Sequence, residues 1–268
     1  MFLAVQVLTP RSLDEALRLK AEYPDALPIQ GGTDVLVWIN FDWCRPEAIL
    51  NLSEVQELRG WSLEDGTLRL GSGLTYTQMM EQLLAELVPV LAEASRTVGS
   101  PQIRNRGTLG GNLGTASPAG DALPPLLVEQ AEVELCSVRG ARTLPLPDFL
   151  LGPKRNALEP DELIQAVLLH PSGQPQTFMK VGPRNAMVIA VCSLAVLVDR
   201  EHGEVRASFG SSGPVAGLVR VPLDEAESLP ERVQSEASPI DDVRGTAAYR
   251  RHALGVLAER ALERCLAA

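Results

Sequence analysis

The sequence is poor in the residues that build metal centres. Among its 268 residues there are three histidines and four cysteines, and no two cysteines form a C-x-x-C pair. Structural zinc and iron–sulfur sites need clustered cysteine or histidine ligands, so we expect this chain to hold neither. Scattered thiols without a disulfide pattern fit a reducing compartment, and they predict a cytoplasmic location.

Positive charge and long apolar runs are also scarce. The chain has 24 Lys and Arg against 34 Asp and Glu, a formal net charge of −10, which disfavours nucleic acid and anionic membranes as partners. The longest nearly apolar run, 187–198, is far below the roughly 20 residues that a membrane-spanning helix needs. The first residues lack the basic segment of a secretory signal peptide, so we expect no membrane insertion. The other fractions, 45% hydrophobic and 22% charged, are those of a globular protein.

Helix and strand signals alternate along the chain. A capping box at 12–15 starts the first helix, and Glu64-Asp65-Gly66 predicts a tight hairpin turn. A helix is predicted over 75–87. After a linker-like segment at 170–176, the pattern predicts a β-rich unit and a last helix over 247–266. The strands of that unit are predicted at 177–181, 187–198 and 204–210.

Glycine is concentrated in two short segments that each accompany a predicted strand. The first is Q-G-G-T-D at 30–34, and the second is T-L-G-G-N at 108–112, within a stretch at 98–121 that holds six glycines. Consecutive glycines let backbone N–H groups converge on an anion, and the threonine and asparagine side chains add donors. Each segment alone is equally compatible with a tight turn. Two such segments together favour a ligand with a phosphate or pyrophosphate group.

Several common cofactor-binding and catalytic motifs are incomplete or absent in this sequence. Gly71-Ser-Gly73-Leu-Thr-Tyr76 has tyrosine where a dinucleotide fingerprint needs its third glycine. The phosphate-loop, H-E-x-x-H and G-x-S-x-G motifs are absent. Arg104 and Arg106 either face an anionic ligand or another subunit, or are solvated. The three histidines are expected at the surface or in turns.

Four segments resemble the FAD-binding medium subunit of the molybdenum hydroxylases, the group of xanthine dehydrogenase and aerobic carbon monoxide dehydrogenase. They are 12–16, 28–35, 239–245 and, most specifically, 99–121. The similarity covers nearly the whole chain. It implies an α+β fold in which a two-subdomain FAD-binding domain of the PCMH type, residues 1–173, precedes a small α+β C-terminal domain, residues 174–268.

The resemblance also implies which residues bind FAD. The two glycine segments would hold the pyrophosphate, Val98 would lie against the cofactor, and Asp121 and Lys180 would lie near the flavin. Gln30 departs from the family, where a small residue often precedes the glycine pair. Binding is expected to be non-covalent, and no residue is implied as catalytic. The implied set is Pro28, Ile29, Gln30, Gly31, Gly32, Thr33, Asp34, Val35, Val98, Thr108, Leu109, Gly110, Gly111, Asn112, Asp121, Ile164 and Lys180.

By the same resemblance, the chain is an oxidoreductase subunit that acts within a heteromer. A large partner subunit would carry the molybdenum cofactor and a small one two [2Fe-2S] clusters, which explains the missing cysteine motifs. Electrons would pass from the clusters through FAD to NAD or another acceptor, most simply in a xanthine dehydrogenase-like complex. Two alternatives stay open at this point: a self-sufficient FAD-dependent oxidase or reductase, and an assembly subunit without cofactor. The substrate of the complex cannot be predicted from this sequence.

Overall fold

The first sheet is parallel and small. The computed structural model describes residues 5–268, and its first three strands pair in the order β1-β3-β2. Two helices flank them. The first begins directly after Ser12 of the predicted capping box, and the second begins directly after the first glycine segment. The elements are β1 (Gln6–Leu8), α1 (Leu13–Glu22), β2 (Leu27–Ile29), α2 (Val35–Asn40) and β3 (Ala48–Asn51).

The second sheet is antiparallel and has five strands in the order β4-β5-β10-β6-β7. Most of the short helices pack around it, and a two-stranded hairpin, β8-β9, lies beside it. The strands are β4 (Trp61–Glu64), β5 (Thr67–Gly71), β6 (Glu132–Ser137), β7 (Gly140–Pro145), β8 (Leu150–Gly152), β9 (Arg155–Asn156) and β10 (Leu163–Leu169). The helices are α3 (Gln82–Leu87), α4 (Pro89–Arg96), α5 (Pro101–Arg104), α6 (Leu109–Thr115), α7 (Leu123–Val128) and α8 (Leu146–Phe149).

The third sheet contains the last four strands in sequential antiparallel order. Its elements are β11 (Gln176–Val181), β12 (Cys192–Asp199), β13 (Glu204–Gly210), β14 (Gly217–Pro222), α9 (Leu229–Glu236) and α10 (Ala247–Leu266). Short 3-10 helices at 52–54, 56–58, 78–80 and 223–228 complete the described chain. None of the helices within residues 5–268 has the length and apolar character needed to cross a bilayer.

The structure confirms several local predictions. The last helix has the predicted bounds, and the hairpin turn is formed by Asp65 and Gly66 with positive φ values of 50° and 79°. Positive φ at both central residues is what a two-residue hairpin turn requires. Three strands of the third sheet match predicted ones, although β12 begins only at Cys192 because 187–191 belong to a loop, and the fourth strand, β14, was not predicted.

The helix predicted over 75–87 is wrong. The residues form a 3-10 turn at 78–80, and α3 begins only at Gln82. The break lies at Glu81, whose backbone is extended, with φ −64° and ψ 144°, and separates the 3-10 turn from α3. The preceding residues bond to a distant segment: Tyr76 N–H donates to the Gly107 carbonyl and Thr77 N–H to the Arg104 carbonyl. They are therefore held against residues 104–107, just before the second glycine segment.

The central strand β12 is buried along its whole length because both faces of the third sheet are covered. Leu194 and Val196 pack into the cluster that includes α10, whereas Ala195 and Leu197 pack into the cluster that includes α4 and α7. This explains why the sequence here is a continuous apolar run rather than an alternating one. The third sheet therefore shares one hydrophobic core with the second sheet and its helices.

Replacing Leu197 by alanine tests this shared core. Leu197 is fully buried, so Leu197→Ala should reduce the free energy of unfolding by about 2–5 kcal/mol, measured by urea denaturation. Leu63→Ala is the matched control, because Leu63 on β4 is 46% exposed and should cost at most about 0.5 kcal/mol. Equal losses in the two variants would contradict the packing described here.

Candidate functional site

A cleft of about 540 Å³ lies where the three groups of elements meet. Its walls come from the loop between β2 and α2, from α6, from the start of β10 and from the loop that joins β11 to β12. The volume falls within the range of about 300–1,000 Å³ that is usual for ligand and cofactor sites. The cleft is the place where the residues singled out by the sequence can be compared with the structure.

Nearly all predicted site residues line this cleft. Leu109 does not, because its side chain is fully buried in the hydrophobic core. Lys180 does not line the cleft either, but it forms an ion pair with Asp121, which does. Those that do are Pro28, Ile29, Gln30, Gly31, Gly32, Thr33, Asp34, Val35, Val98, Thr108, Gly110, Gly111, Asn112, Asp121 and Ile164. Their contact with FAD stays a prediction.

The sequence reasoning missed part of the lining. One group lies at 71–76, the segment rejected as a dinucleotide fingerprint, and another at 187–189, which was assigned to a strand. Their positions depend on pairing between distant segments, which no local pattern reveals. Further lining residues include Trp38, Ser72, Tyr76, Gly99, Ser100, Ile103, Gly114, Thr115, Gly120, Leu158, Glu162, Met187, Val188 and Ile189.

The first glycine segment presents a row of free backbone N–H groups. Within residues 5–268, no protein acceptor receives the amides of the five consecutive residues 31–35. Gly32 has a φ of +76°, a conformation that favours glycine. Four of these residues are half-buried and Asp34 is exposed, and all five line the cleft, so their amides are available to a ligand that accepts hydrogen bonds. We call residues 31–35 the amide row.

The second glycine segment works differently from the sequence-based expectation. Its amides are already bound: Leu109 N–H donates to the Leu74 carbonyl at 2.9 Å, Gly110 N–H to the Ser72 carbonyl at 2.7 Å, and Gly111 N–H to Thr108 Oγ1 at 3.1 Å. This segment is therefore the capped start of α6 rather than a second anion cradle.

The second glycine segment leaves open space in the cleft. A Cβ atom on Gly111 would meet only Thr108 Oγ1, at 3.1 Å, and one on Gly114 would meet only Ile164 Cδ1, at 3.8 Å. By contrast, a Cβ atom on Gly110 would lie 2.6 Å from Ser72 Cβ. Gly110 is thus required by packing within the protein, whereas nothing in the protein requires glycine at 111 or 114. Their lack of a side chain leaves room for a ligand.

The first glycine segment touches residues on both sides of the second. A Cβ atom on Gly31 would fall on the carbonyl oxygen of Arg106, so only glycine fits there. A second link joins them, because Thr115 Oγ1 donates to Asp34 Oδ2 at 3.0 Å. These contacts hold the amide row against α6 and define the width of the cleft between them.

A buried ion pair forms one end of the cleft. Lys180 Nζ lies 2.5 Å from Asp121 Oδ2 and 3.3 Å from the Thr97 carbonyl oxygen, and both charged side chains are at least nine-tenths buried. Burial raises the pKa of Asp121, although the neighbouring ammonium group opposes this shift. Asp121 Oδ1 has no hydrogen-bond partner among the described residues, and neither has Asn112 Oδ1. Both residues line the cleft, so a ligand with N–H or O–H donors would satisfy them.

Tyr76 also lines the cleft, and the charges of Asp121 and Asp34 act on it. Its side chain is buried, and burial together with the charges of Asp121 and Asp34 raises the pKa of its hydroxyl far above the usual value. The phenol therefore stays protonated at neutral pH. In the described part of the chain, no group of three or more histidine, cysteine or acidic side chains is arranged to hold a metal ion.

Comparison with known proteins gives this geometry a family. A family model described as "FAD binding domain in molybdopterin dehydrogenase" matches residues 3–171. The chain belongs to this family. It is a FAD-binding subunit of the molybdenum hydroxylase kind, and thus part of an oxidoreductase, as the resemblance of its glycine-rich segments implies.

Several curated proteins are similar over most of their length. A xanthine dehydrogenase FAD-binding subunit of Escherichia coli O157:H7 is 31% identical over 96% of this chain and 94% of its own length. A nicotinate dehydrogenase FAD-subunit of Eubacterium barkeri is 37% identical, covering 84% and 78%. A carbon monoxide dehydrogenase medium chain of Afipia carboxidovorans is 30% identical, covering 96% and 95%.

Solved structures show the same fold. Carbon monoxide dehydrogenase from Hydrogenophaga pseudoflava has a chain that superposes with a TM-score of 0.91 at 24% identity, covering 100% of this chain and 99% of its own. A chain of quinoline 2-oxidoreductase from Pseudomonas putida 86 gives 0.90 at 24% identity, covering 99% and 98%. The α+β architecture of the molybdenum hydroxylase flavoprotein subunits is therefore the architecture of this chain.

Replacing Lys180 tests the buried pair at the end of the cleft. Lys180→Met leaves the Asp121 carboxylate buried without its cation, which should cost about 3–5 kcal/mol of stability at neutral pH. The ammonium group opposes the rise of the Asp121 pKa, so its removal raises that pKa further, and protonation of Asp121 at low pH then relieves the buried charge in the variant. The loss should therefore shrink as the pH falls from 8 towards 5, measured by thermal unfolding. The double variant with Asp121→Asn should recover stability at pH 8, and a pH-independent loss would contradict the assignment.

Proposed function

We propose that the cleft binds FAD non-covalently and that this chain is the electron-transfer flavoprotein subunit of a xanthine dehydrogenase-like complex. In this proposal, electrons arrive from [2Fe-2S] clusters on a small partner subunit, and the molybdenum cofactor lies on a large partner subunit. NAD or another acceptor receives the electrons. The observation that carries the proposal is the amide row, because it supplies donors for a pyrophosphate at the cleft.

The residues present fit the two ends of FAD. A pyrophosphate needs several donors that converge from one side, and the amides of 31–35 meet that need without any lysine or metal ion. The bare surfaces of Gly111 and Gly114 face the cleft opposite the row and leave room for the phosphates and their sugars. The cofactor-sized volume between them supports the same assignment.

The other end of the cleft suits a flat, largely apolar ring with polar edges. Val98, Ile103 and Ile189 provide apolar lining, and the unsatisfied oxygen of Asp121 offers an acceptor for a ring or ribityl donor. When bound there, FAD would supply reversible one- and two-electron redox chemistry. The role of this chain's residues would be to bind the cofactor, orient it and exclude water from one side.

Several features support the wider proposal. The relatives carry the words "FAD-binding subunit" and "medium chain" in their names, which is consistent with large and small partner subunits. The four cysteines are free thiols, as expected for a cytoplasmic protein. The family match ends at residue 171, which supports the proposed boundary between residues 1–173 and 174–268.

Gly111→Val tests the cofactor assignment. A Cβ atom at position 111 would meet only Thr108 Oγ1 within the protein, and this position lines the cleft, so the chain should fold but lose bound FAD. Ala141→Val on the exposed strand β7 is the control of similar added bulk. Flavin absorbance per protein after gel filtration should be near zero for the first variant and unchanged for the second, with unchanged circular dichroism in both. Full flavin stoichiometry in Gly111→Val would contradict the pyrophosphate assignment.

Copurification tests the assembly. The native complex should contain this chain with two further subunits and with molybdenum, iron and FAD, and it should reduce NAD when supplied with xanthine or another purine. A complex that contains these components but reduces a different acceptor would retain the flavoprotein role and reject NAD. The isolated flavoprotein bleached directly by substrate would instead indicate a self-sufficient enzyme.

A further inference from the structure

A second cavity adjoins the cofactor cleft. It measures about 380 Å³, and Gln30 and Thr108 border both this cavity and the cofactor cleft. Every residue that lines it is either polar or glycine, and none is acidic among those of residues 5–268. We call it the polar pocket. We propose that it is a separate binding site for a compact oxyanion, a phosphate or carboxylate group of a small molecule.

Two side-chain amide oxygens of the pocket already accept hydrogen bonds. Gln78 Oε1 receives both the amide N–H and the hydroxyl of Thr75, each at 3.0 Å. Because a backbone N–H can only donate, this contact fixes the orientation of the Gln78 side-chain amide and leaves its NH₂ group without a described partner. Asn105 Oδ1 accepts from the Thr77 hydroxyl at 2.6 Å, and Asn105 Nδ2 has no partner among the described residues.

The positive charges of the pocket are also uncompensated. Among the described residues, neither Arg59 nor Arg106 forms an ion pair with a carboxylate; Arg59 donates to the Ser53 carbonyl, and Arg106 donates weakly to the Gln30 carbonyl at 3.5 Å. Two guanidinium groups beside two free amide NH₂ groups form a donor set that an oxyanion would complete.

The pocket is distinct from the pyrophosphate site in its donors. The amide row consists of backbone N–H groups at 31–35, whereas the pocket offers side chains from 59, 78, 105 and 106. The two sites meet at one contact, where the Arg106 carbonyl oxygen packs on Gly31. Arg104, which the sequence could not distinguish from Arg106, takes no part, because its guanidinium donates to the carbonyls of Val98 and Gly99.

Phosphorus NMR of the full chain saturated with FAD tests this proposal. Inorganic phosphate is the probe, and its resonance should shift and broaden to saturation when the protein is added. Arg59→Gln should weaken this binding at least tenfold. Gln78→Glu should do the same, because the new carboxylate can still accept from Thr75 but repels the anion. Arg260→Gln, an exposed arginine on α10, is the charge-matched control and should bind phosphate as the native protein does.

Succinate, observed by proton NMR, provides the carboxylate arm of the experiment. Binding of either anion that is lost in both pocket variants and kept in the control supports the proposal. Binding of neither anion, or equal binding by the native protein and both pocket variants, overturns it. The pyrophosphate resonances of FAD report cofactor loading in the same spectra, so a failure of the flavin assignment is recognised separately from a failure of the pocket.

Discussion

The close approach of Gly31 to the Arg106 carbonyl is the constraint on which the cleft depends. It brings the loop that follows a strand of the first sheet against the segment that leads into α6 of the second group. Neither segment forms a cofactor site alone. The loop has free amides but no opposite wall, and α6 has open glycine surfaces but no free donors. The hydrogen bond from Thr115 to Asp34 adds a second tie between them.

The third sheet completes the cleft from the far side. Lys180 on β11 reaches Asp121 in the second group, and the loop after β11 contributes apolar lining. This reach is possible because β12 is buried on both faces, so that the sheet is fixed against α4 and α7. The C-terminal part of the chain is thus joined to the elements around the cleft by packing and by one buried ion pair. Loss of either would loosen the end of the cleft that we assign to the flavin.

The sequence predicted the features that depend on local chemistry and missed those that depend on pairing. The hairpin at Asp65 and Gly66 and the last helix follow from residue types at short spacing, and the structure bears both out. The helix expected over 75–87 is broken at the extended residue Glu81, and the amides of Tyr76 and Thr77 bond to the distant residues 107 and 104. No periodicity in one segment can show that a distant segment competes for its hydrogen bonds.

The candidate site shows the same division. The resemblance located most of the cleft lining but treated both glycine segments as anion cradles, whereas only the first has free amides. It also placed Leu109 at the site, although the capped start of α6 turns that side chain into the core. The role of Arg106 could not be separated from that of Arg104 in the sequence. Their different partners become visible only in the folded chain.

The central claim is that the amides of 31–35 bind the pyrophosphate of FAD. The most direct measurement is a ¹⁵N-resolved amide spectrum in which the resonances of Gly31 and Gly32 are followed as FAD is added to cofactor-free protein, with riboflavin as the ligand that lacks phosphate. The account predicts large shifts and slowed solvent exchange of both amides with FAD and little change with riboflavin. Bound FAD that leaves both glycine amides unshifted would contradict it.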